Sequence, residues 1–265
     1  MSVSTFSRKE PILMIDLLRP LTRLAVAAIV GVAALSHAQT APLNDTGQTS
    51  CYNTIDVAVA CDAATAGNTG TRPHQDGRYG RDAAAAAGAL SKVGGGVAGF
   101  DFSCVLWNGT VINGPNCQVG LVANTSGAPS ATPTTDWACT KDNVTGKVWS
   151  LQSLGPMDWY VAMFAYENSN LRGRCGGTNW RLPTVRELLS IVHNDSTTEP
   201  PVDVAYFPST VEDFYWTAEV FMGPPYTVGG EAWYVRFGAS TGIGGSGYRS
   251  RATNDQYVRL VHSGP

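Results

Sequence analysis

Residues that could carry acid–base or nucleophilic chemistry are few in this 265-residue chain. The histidines after residue 38 are His74, His193 and His262, and none of them lies in a catalytic motif. The sequence contains no His-Glu-x-x-His and no complete calcium loop, and the glycine-rich run over residues 242–247 lacks the Lys-Ser/Thr ending of a phosphate-binding loop. We therefore predict that the protein is not an enzyme, that it has no catalytic residues and that it holds no metal or other cofactor.

A second group of residues suits reversible binding rather than turnover. Two long irregular connections, residues 221–231 and 238–256, are rich in side chains of the kind that contact ligands. Tyrosine stacks on sugar rings, arginine makes paired hydrogen bonds with sulfate or carboxylate, and asparagine and aspartate bind hydroxyl groups or calcium. The predicted ligand-binding residues are Tyr226, Trp233, Arg236, Tyr248, Arg249, Arg251, Asn254 and Asp255. A solvated polar loop without a ligand is the open alternative.

Two smaller sets of polar residues have structural or conditional roles. Calcium is an open alternative to the absence of a metal, and its ligands would be Asp195, Asp203, Asn254 and Asp255, provided that folding brings them together. Arg181 and Glu187 could form a functional pair, but we expect a helix-capping role for Glu187 and an ion pair or a backbone contact near Trp180 for Arg181.

The six cysteines are predicted to form three disulfides, because an even number of cysteines in an exported chain favours disulfides over free thiols. Sequential pairing is favoured because the first two cysteines bracket a short loop and the next two bracket a predicted hairpin around Asn113-Gly114. The predicted pairs are Cys51 with Cys61, Cys104 with Cys117, and Cys139 with Cys175. A zinc site is disfavoured because the chain has no Cys-x-x-Cys pair.

Residues 1–38 are predicted to be a signal peptide. Arg19 and Arg23 precede an apolar run over residues 24–35, and Ser36-His37-Ala38 fits a cleavage site. The apolar run is too short to span a bilayer. The remaining chain is expected to be exported to the periplasm, the cell surface or the extracellular space, without stable membrane insertion.

The charge balance limits the classes of partner. The chain has 18 basic and 21 acidic residues and a net charge of −3. Such a chain has no general attraction to nucleic acid, so a sulfated ligand would need a local basic patch. Self-association into a homo-oligomer stays open.

Two regions are expected after the signal peptide. Residues 39–135 form a small Gly/Ala-rich, disulfide-stabilised region, with Asp82 as the N-cap of a helix over 83–87, a strand over 100–107 and a linker over 124–135. An extension packed on the second region is the alternative. Residues 136–265 carry most of the tryptophans and are expected to fold around a compact core.

The second region has the pattern of an α+β fold. We predict a first strand over 144–151, a helix with Trp159, Ala162, Met163 and Tyr166 on one face, and a capped helix over 184–194 that ends at His193. Half-buried strands over 214–219 and 233–237 follow, and a last strand over 256–262 pairs with the first. Arg259 is expected to face solvent in that strand.

Several motifs in this order resemble the C-terminal domain family of the Legionella collagen-like adhesin, or Lcl. These motifs are Trp137-Ala138-Cys139, residues 142–149, the block from Cys175 to Leu189, Tyr215-Trp216-Thr217-Ala218, Ala232-Trp233-Tyr234-Val235 and Tyr257-Val258-Arg259-Leu260-Val261. The resemblance covers roughly half of the chain. It implies a C-type-lectin-like domain with two helices and an antiparallel sheet, preceded by the small disulfide-stapled region.

The resemblance also implies a function, since members of this family are usually secreted or surface proteins and the adhesin that names it binds sulfated polysaccharides. We expect an exported, non-enzymatic binding or adhesion protein that recognises a glycan or a surface protein through its C-terminal loops. The alternatives are a structural or assembly component of a cell-envelope complex or surface appendage, and an enzyme that is either a hydrolase or a relative of formylglycine-type oxidases. The oxidase chemistry needs reactive cysteines, whereas all six cysteines here are predicted to be structural.

Overall fold

The computed structural model describes residues 45–53, 57–61, 75–221, 230–238 and 247–264, with residues 247–251 described by their backbone alone. The predicted signal peptide, His74 and Tyr226 lie outside these ranges. The strands are β1 (Cys51–Tyr52), β2 (Ala58–Val59), β3 (Phe102–Leu106), β4 (Val111–Ile112), β5 (Val122–Ala123), β6 (Asp136–Asp142), β7 (Val148–Ser150), β8 (Leu154–Met157), β9 (Phe214–Val220), β10 (Glu231–Arg236), β11 (Gly247–Arg251), β12 (Gln256–Val258) and β13 (Val261–His262). The helices are α1 (Asp76–Tyr79), α2 (Arg81–Ala86), α3 (Trp159–Ala162), α4 (Glu167–Leu171) and α5 (Val185–Leu189), with a 3-10 helix at Arg174–Gly176.

The described strands form three sheets. A five-stranded sheet has the order β11-β10-β9-β12-β8, a six-stranded sheet has the order β13-β7-β6-β3-β4 with β5 beside β6, and β1 pairs with β2. Most pairs are antiparallel, and the parallel ones are β9 with β12 and β5 with β6. The α-helices span only four to six residues. The α+β class is therefore confirmed, with more sheet and shorter helices than the sequence pattern indicates.

The six-stranded sheet contains strands from both sides of residue 135. β3 pairs with β6 from Phe102 opposite Asp142 to Leu106 opposite Trp137. At the far edge β13 pairs with β7, where Val261 lies opposite Trp149. The expected pairing of the last strand with the first is thus found in β13, although the predicted strand over 256–262 is broken into β12 and β13 at residues 259–260.

The predicted strand over 144–151 is found only at Val148–Ser150, which is β7, because a turn over residues 143–145 separates it from β6. The Asp142 side chain accepts hydrogen bonds from the amides of Val144 at 2.8 Å and Thr145 at 3.2 Å. Gly146 takes a positive φ of 72°, which favours glycine over other residues. An aspartate that bonds the amides two and three residues later, followed by such a glycine, makes a hairpin turn.

The turn of the β3–β4 hairpin also differs from its predicted position at Asn113-Gly114. The side chain of Asn108 accepts a hydrogen bond from the Thr110 amide at 2.9 Å, and Gly109 has a φ of 92°. The chain therefore reverses at Asn108-Gly109, before β4.

The helix starts follow the predicted capping pattern where a capping box exists. Glu187 donates its amide to the Thr184 hydroxyl at 3.1 Å, and the Glu187 carboxylate accepts the Thr184 amide at 2.9 Å, so the predicted box is confirmed. The helix ends at Leu189 rather than near 194. The amide of His193 donates to Pro201 O at 2.8 Å. The expectation that His193 ends α5 and meets its dipole is therefore wrong.

Two other predicted helices differ in extent. The helix at Trp159 stops at Ala162, and α4 begins only at Glu167, yet all four predicted face residues pack into one core cluster. Asp82 is not an N-cap, because α2 begins at Arg81 after Gly80.

The core has two apolar clusters, one on each face of β9. Tyr215 packs in one cluster with Val235 and Phe237, whereas the next residue, Trp216, packs in the other with Ala232. Neighbouring residues of a strand point to opposite faces, and here both are fully buried. The prediction of a half-buried strand over 214–219 is therefore wrong for its central residues, since both of its faces are covered.

Three disulfides join the cysteines in the predicted sequential order: Cys51 with Cys61, Cys104 with Cys117, and Cys139 with Cys175. The last pair links β6 to the 3-10 helix. Disulfides of this kind are typical of exported proteins. No helix in the described part of the chain is both long and apolar enough to cross a membrane.

Candidate binding surface

The β10–β11 hairpin carries several of the predicted ligand-binding residues. β11 is an edge strand of its sheet, and its register places Arg249 opposite Trp233 and Arg251 opposite Glu231. Directly opposed residues of an antiparallel pair share a face. Trp233, which is half-buried and meets the ring of Phe221 edge-on at 5.9 Å, therefore shares its face with positions 249 and 251.

Arg236 and the backbone position 248 belong to the opposite face of the hairpin, because position 248 pairs with Tyr234 and side chains alternate along a strand. The Arg236 guanidinium lies 5.4 Å from the centre of the Phe214 ring. Burial and then the charge of Glu212 raise the pKa of Glu199, and the charge of Arg236 opposes them. Arg236 is thus set among acidic neighbours, which makes it a poorer sulfate ligand than its position in the sequence indicates.

The turn after β11 lies against the start of α3. The Trp159 amide donates to Ala252 O at 2.8 Å, and the Ala252 amide donates to Gly230 O at 3.3 Å. Ala252 therefore connects three elements, which are α3, the start of β10 and the turn over 252–255. Asn254 and Asp255 are both exposed in this turn.

The helical segment that begins at Trp159 carries exposed apolar side chains, which the sequence analysis missed. Tyr160, Val161 and Phe164 are 49%, 56% and 61% exposed. The Tyr160 hydroxyl lies 3.7 Å from the place that a Cβ at Gly230 would take, so it reaches the start of β10. The other face of the same helical segment packs in the core. The sequence could have indicated the exposed residues, because this segment is apolar on more than one face.

The candidate surface is the region around Ala252 that consists of Tyr160, Val161, Phe164, position 251, Asn254 and Asp255. It combines an exposed aromatic ring with an amide, a carboxylate and the backbone position of an arginine. Such a set can stack on a sugar ring and hydrogen-bond its hydroxyl groups. The structure thus brings Asn254 and Asp255 to the end of the hairpin. It separates the other predicted residues, with Arg236 and position 248 on one face of the hairpin and Trp233 and position 249 on the other.

Arg259 is a core residue, which corrects the expectation that it faces solvent. It is 1% exposed, and its guanidinium donates to Ser150 O at 2.8 Å and to the hydroxyls of Ser153 and Thr210 at 3.0 and 2.8 Å. The cation also lies 5.3 Å from the Phe207 ring centre. A guanidinium held in this way connects the segments that contain Ser153 and Thr210 to β7. Arg259 is therefore no longer a candidate for sulfate binding.

Arg181 and Glu187 form an ion pair with each other, through two hydrogen bonds of 2.8 and 2.6 Å. Burial alone would raise the pKa of Glu187, but the hydrogen bonds from Arg181 and Thr184 and the charges of Arg181 and Lys147 hold it at about 2. The pair secures the start of α5 and has a structural explanation without a ligand.

Of the histidines, His262 is buried and neutral. It is 1% exposed, burial lowers its pKa to about 4, and its Nδ1 accepts a hydrogen bond from the Gly264 amide at 3.0 Å. His193 lies edge-on to Phe100, with ring centres 6.1 Å apart.

A cleft of about 550 Å³ lies outside the candidate surface, between the loop over 94–97 and Tyr206. Its polar side chains hold backbone groups: Lys92 donates to Gly96 O at 2.9 Å, and Asp203 accepts the Val97 amide at 2.8 Å. None of the predicted ligand-binding residues lines this cleft.

The four residues named as calcium ligands are not brought together. Asp203 accepts backbone amides of residues 97 and 205, and Asp195 accepts the Ser50 amide at 2.7 Å. Asn254 and Asp255 lie in the exposed turn after β11. Within the described ranges, the grouping of acidic or metal-binding side chains is a different one, formed by Asp45, Asp76 and Asp82.

Comparison with known proteins supports the resemblance seen in the motifs. The family model described as the Lcl C-terminal domain matches residues 138–262. No curated protein and no solved structure matches the chain.

Proposed function

Residues 138–262 are an Lcl C-terminal domain, and from that premise we propose that this protein is an exported, adhesin-like binding module that recognises a glycan at the candidate surface. The fold we propose for the domain is the C-type-lectin-like one that the family resemblance implies. The observation that carries the proposal is the exposed Tyr160 ring beside the polar turn at Asn254 and Asp255. We propose no catalytic role and no bound cofactor for this surface.

The chemistry of the surface supports a sugar as ligand. An aromatic ring covers the apolar face of a pyranose with little loss of side-chain entropy, while amide and carboxylate oxygens accept hydrogen bonds from its hydroxyl groups. The adjacent positions 249 and 251 add two arginines to the same hairpin, which favours a glycan that carries sulfate or carboxylate groups.

The test is a glycan-array screen of the purified oxidised protein, followed by titration of each hit. Tyr160→Ala is expected to weaken binding at least about tenfold if the ring stacks on a sugar. Tyr79→Ala is the matched control, because Tyr79 is 62% exposed in α1 and belongs to a different part of the chain. Equal affinities for the wild-type protein and Tyr160→Ala would remove the candidate surface from the binding site.

Docking of an envelope protein is the second candidate function, and the apolar residues Phe164 and Leu171 favour it. They are 61% and 85% exposed, and exposed aliphatic and aromatic side chains suit a protein interface better than a sugar. No binding on the array, together with cross-linking to an envelope protein that Phe164→Ser and Leu171→Ser abolish, would favour this function.

A further inference from the structure

Three aspartates from separate segments converge in the part of the chain that precedes the Lcl domain. Asp45 comes from the first described segment, Asp76 from α1 and Asp82 from α2, and one oxygen of each lies within 4.8 Å of the others. Asp45 and Asp82 are 3% and 2% exposed, and Asp76 is half-buried. Buried carboxylates of like charge are costly to gather unless a cation or a proton compensates them.

One of these carboxylates has an oxygen that no protein group satisfies. Asp82 Oδ1 accepts the Gly99 amide at 2.7 Å, whereas Asp82 Oδ2 is buried and has no hydrogen-bond partner among the described residues. Asp76 is held from one side, since its Oδ2 accepts the Thr46 hydroxyl at 2.6 Å. A buried carboxylate oxygen without a donor is the kind of group that a metal ion or a water molecule satisfies.

The backbone around the cluster is shaped to admit the carboxylates. A Cβ at Gly80 would overlap the Asp76 carboxylate, and a Cβ at Gly99 would press on the carboxylate of Asp45. Glycine is therefore required at both positions for reasons of space. The three carboxylates are therefore enclosed by closely packed backbone.

The nearby cations are engaged with backbone carbonyls. Lys92 donates to Gly96 O at 2.9 Å and to Ala98 O at 2.5 Å, and Arg81 donates through Nε to Gly99 O at 2.9 Å.

We propose that Asp45, Asp76 and Asp82 bind one Ca²⁺ ion, at a site separate from the candidate surface and independent of the proposed function. Ca²⁺ takes oxygen ligands at about 2.3–2.6 Å, so ligands on opposite sides of one ion stand about 5 Å apart, which matches the spread of this cluster. Zn²⁺ fits poorly because the cluster has no histidine or thiolate. A cleft of about 360 Å³ reaches Asp82 of this cluster, and Thr49 and Lys92 also line it.

The ion would secure the first described segment to the Lcl domain. Thr46, next to Asp45, accepts the Asn194 amide at 2.9 Å, and the Ser50 amide donates to Asp195 at 2.7 Å. Thr46 and Ser50 both belong to the segment that follows Asp45. Fixing Asp45 to α1 and α2 therefore also orders the segment over residues 46–50, which contacts residues 194–195.

The test is calorimetric titration of the oxidised, chelator-treated protein with CaCl₂, with the thermal midpoint measured in parallel. We expect saturable binding of one ion per chain and a midpoint that rises by about 5 °C or more when Ca²⁺ exceeds its dissociation constant a hundredfold. Asp82→Asn should abolish binding and the midpoint shift, while Asp255→Asn, which alters the turn of the candidate surface, should keep both.

Absence of saturable binding to the folded wild-type protein up to about 10 mM CaCl₂, beyond the range of weak extracellular sites, would overturn the proposal. So would binding that survives in Asp82→Asn or disappears in Asp255→Asn, because the ion would then lie elsewhere. Asp76→Asn is a second variant in case Asp82→Asn does not fold, since an asparagine can still accept the Thr46 hydroxyl. Loss of Ca²⁺ binding in Asp76→Asn supports the site, and its retention contradicts it. Glycan affinity measured on the same samples reports on the candidate surface separately.

Discussion

The rings of His262 and Trp180 lie edge to face with their centres 4.4 Å apart, and both residues are at most 2% exposed. The histidine is therefore part of the seam between β13 and the chain segment before α5. Because Nδ1 accepts the Gly264 amide, the neutral ring carries its proton on Nε2, which is buried without a hydrogen-bond partner among the described residues. A second proton, on Nδ1, would break the bond to Gly264 and add a buried charge without compensation.

The first prediction is acid sensitivity that depends on His262. Its folded pKa is about 4 and its unfolded value is near 6.5, so between these values the unfolded chain binds the extra proton and the folded chain does not. The free energy of unfolding should fall by about 3 kcal/mol as the pH drops from 6.5 to 4. Urea unfolding across this range measures it, and His262→Asn should flatten the slope. An unchanged slope in that variant would assign the acid sensitivity to other groups.

The second prediction concerns the ion pair of Arg181 with Glu187. Glu187→Gln removes the charge from both the pair and the capping box, and we expect a loss of about 1–2 kcal/mol at neutral pH. The contribution is present above the unfolded pKa near 4.5 and disappears as the pH falls toward 2, because Glu187 then becomes protonated in the folded state as well. Chemical unfolding at pH 7 and at pH 3 tests both parts. Glu167→Gln, at an exposed glutamate of α4, is the control and should change stability by less than about 0.5 kcal/mol.

The third prediction separates the buried arginine from those on the hairpin. Arg259→Ala leaves the carbonyl of Ser150 and the hydroxyls of Ser153 and Thr210 without their donor, and it should cost about 3–5 kcal/mol. Thermal or urea unfolding measures this loss. Arg186→Ala, at an exposed position of α5, should be nearly neutral. Equal stability of the two variants would contradict the core role of Arg259.

The fourth prediction concerns the two arginines of β11, which lie opposite Trp233 and Glu231 in the register. Replacement of both Arg249 and Arg251 by alanine should weaken binding to a heparin-like ligand and reduce the dependence of the affinity on salt concentration, because fewer charges meet the ligand. Retention on a heparin column at several salt concentrations measures it, with Arg186→Ala as control. Unchanged retention of the double variant would exclude both arginines from the ligand contact.

The fifth prediction follows from the pairing of all six cysteines. Labelling of the native oxidised protein should find no free thiol, and a reactive cysteine would revive the oxidase alternative. Replacing both Cys139 and Cys175 by serine should lower the free energy of unfolding by about 3–4 kcal/mol, because the bridge closes a segment with a sequence separation of 36. Denaturant titration measures this loss.

Local signals predicted the local parts of the structure. The capping box at Thr184 and Glu187 depends on residues three positions apart. Each disulfide joins two cysteines that are consecutive in the chain, so both features could be inferred from the sequence. The first strand of the second region was misread, because Val144, Val148 and Trp149 favour a strand more visibly than Asp142 and Gly146 favour a turn.

Features that depend on the packing of distant segments were not predictable in this way. Both faces of β9 are covered, and no alternation along Phe214–Val220 indicates a second cluster. Arg259 follows Val258 in an apparently alternating strand, yet acceptors from residues 150–153 and 210 surround its guanidinium. The candidate surface was found only in part, since Asn254 and Asp255 were predicted and Tyr160 was not, because its exposure depends on how α3 lies against the sheet.

The pairing of Val261 with Trp149 makes completion of the six-stranded sheet a late event in folding. The strand that closes this edge comes from the very end of the domain, and Arg181 bonds to the backbone of the same Val261. A contact between such distant positions forms slowly and only after the intervening chain is available. The edge thus stays open until residues 261–262 join the sheet, so a variant that lacks these two residues would lose the closing strand.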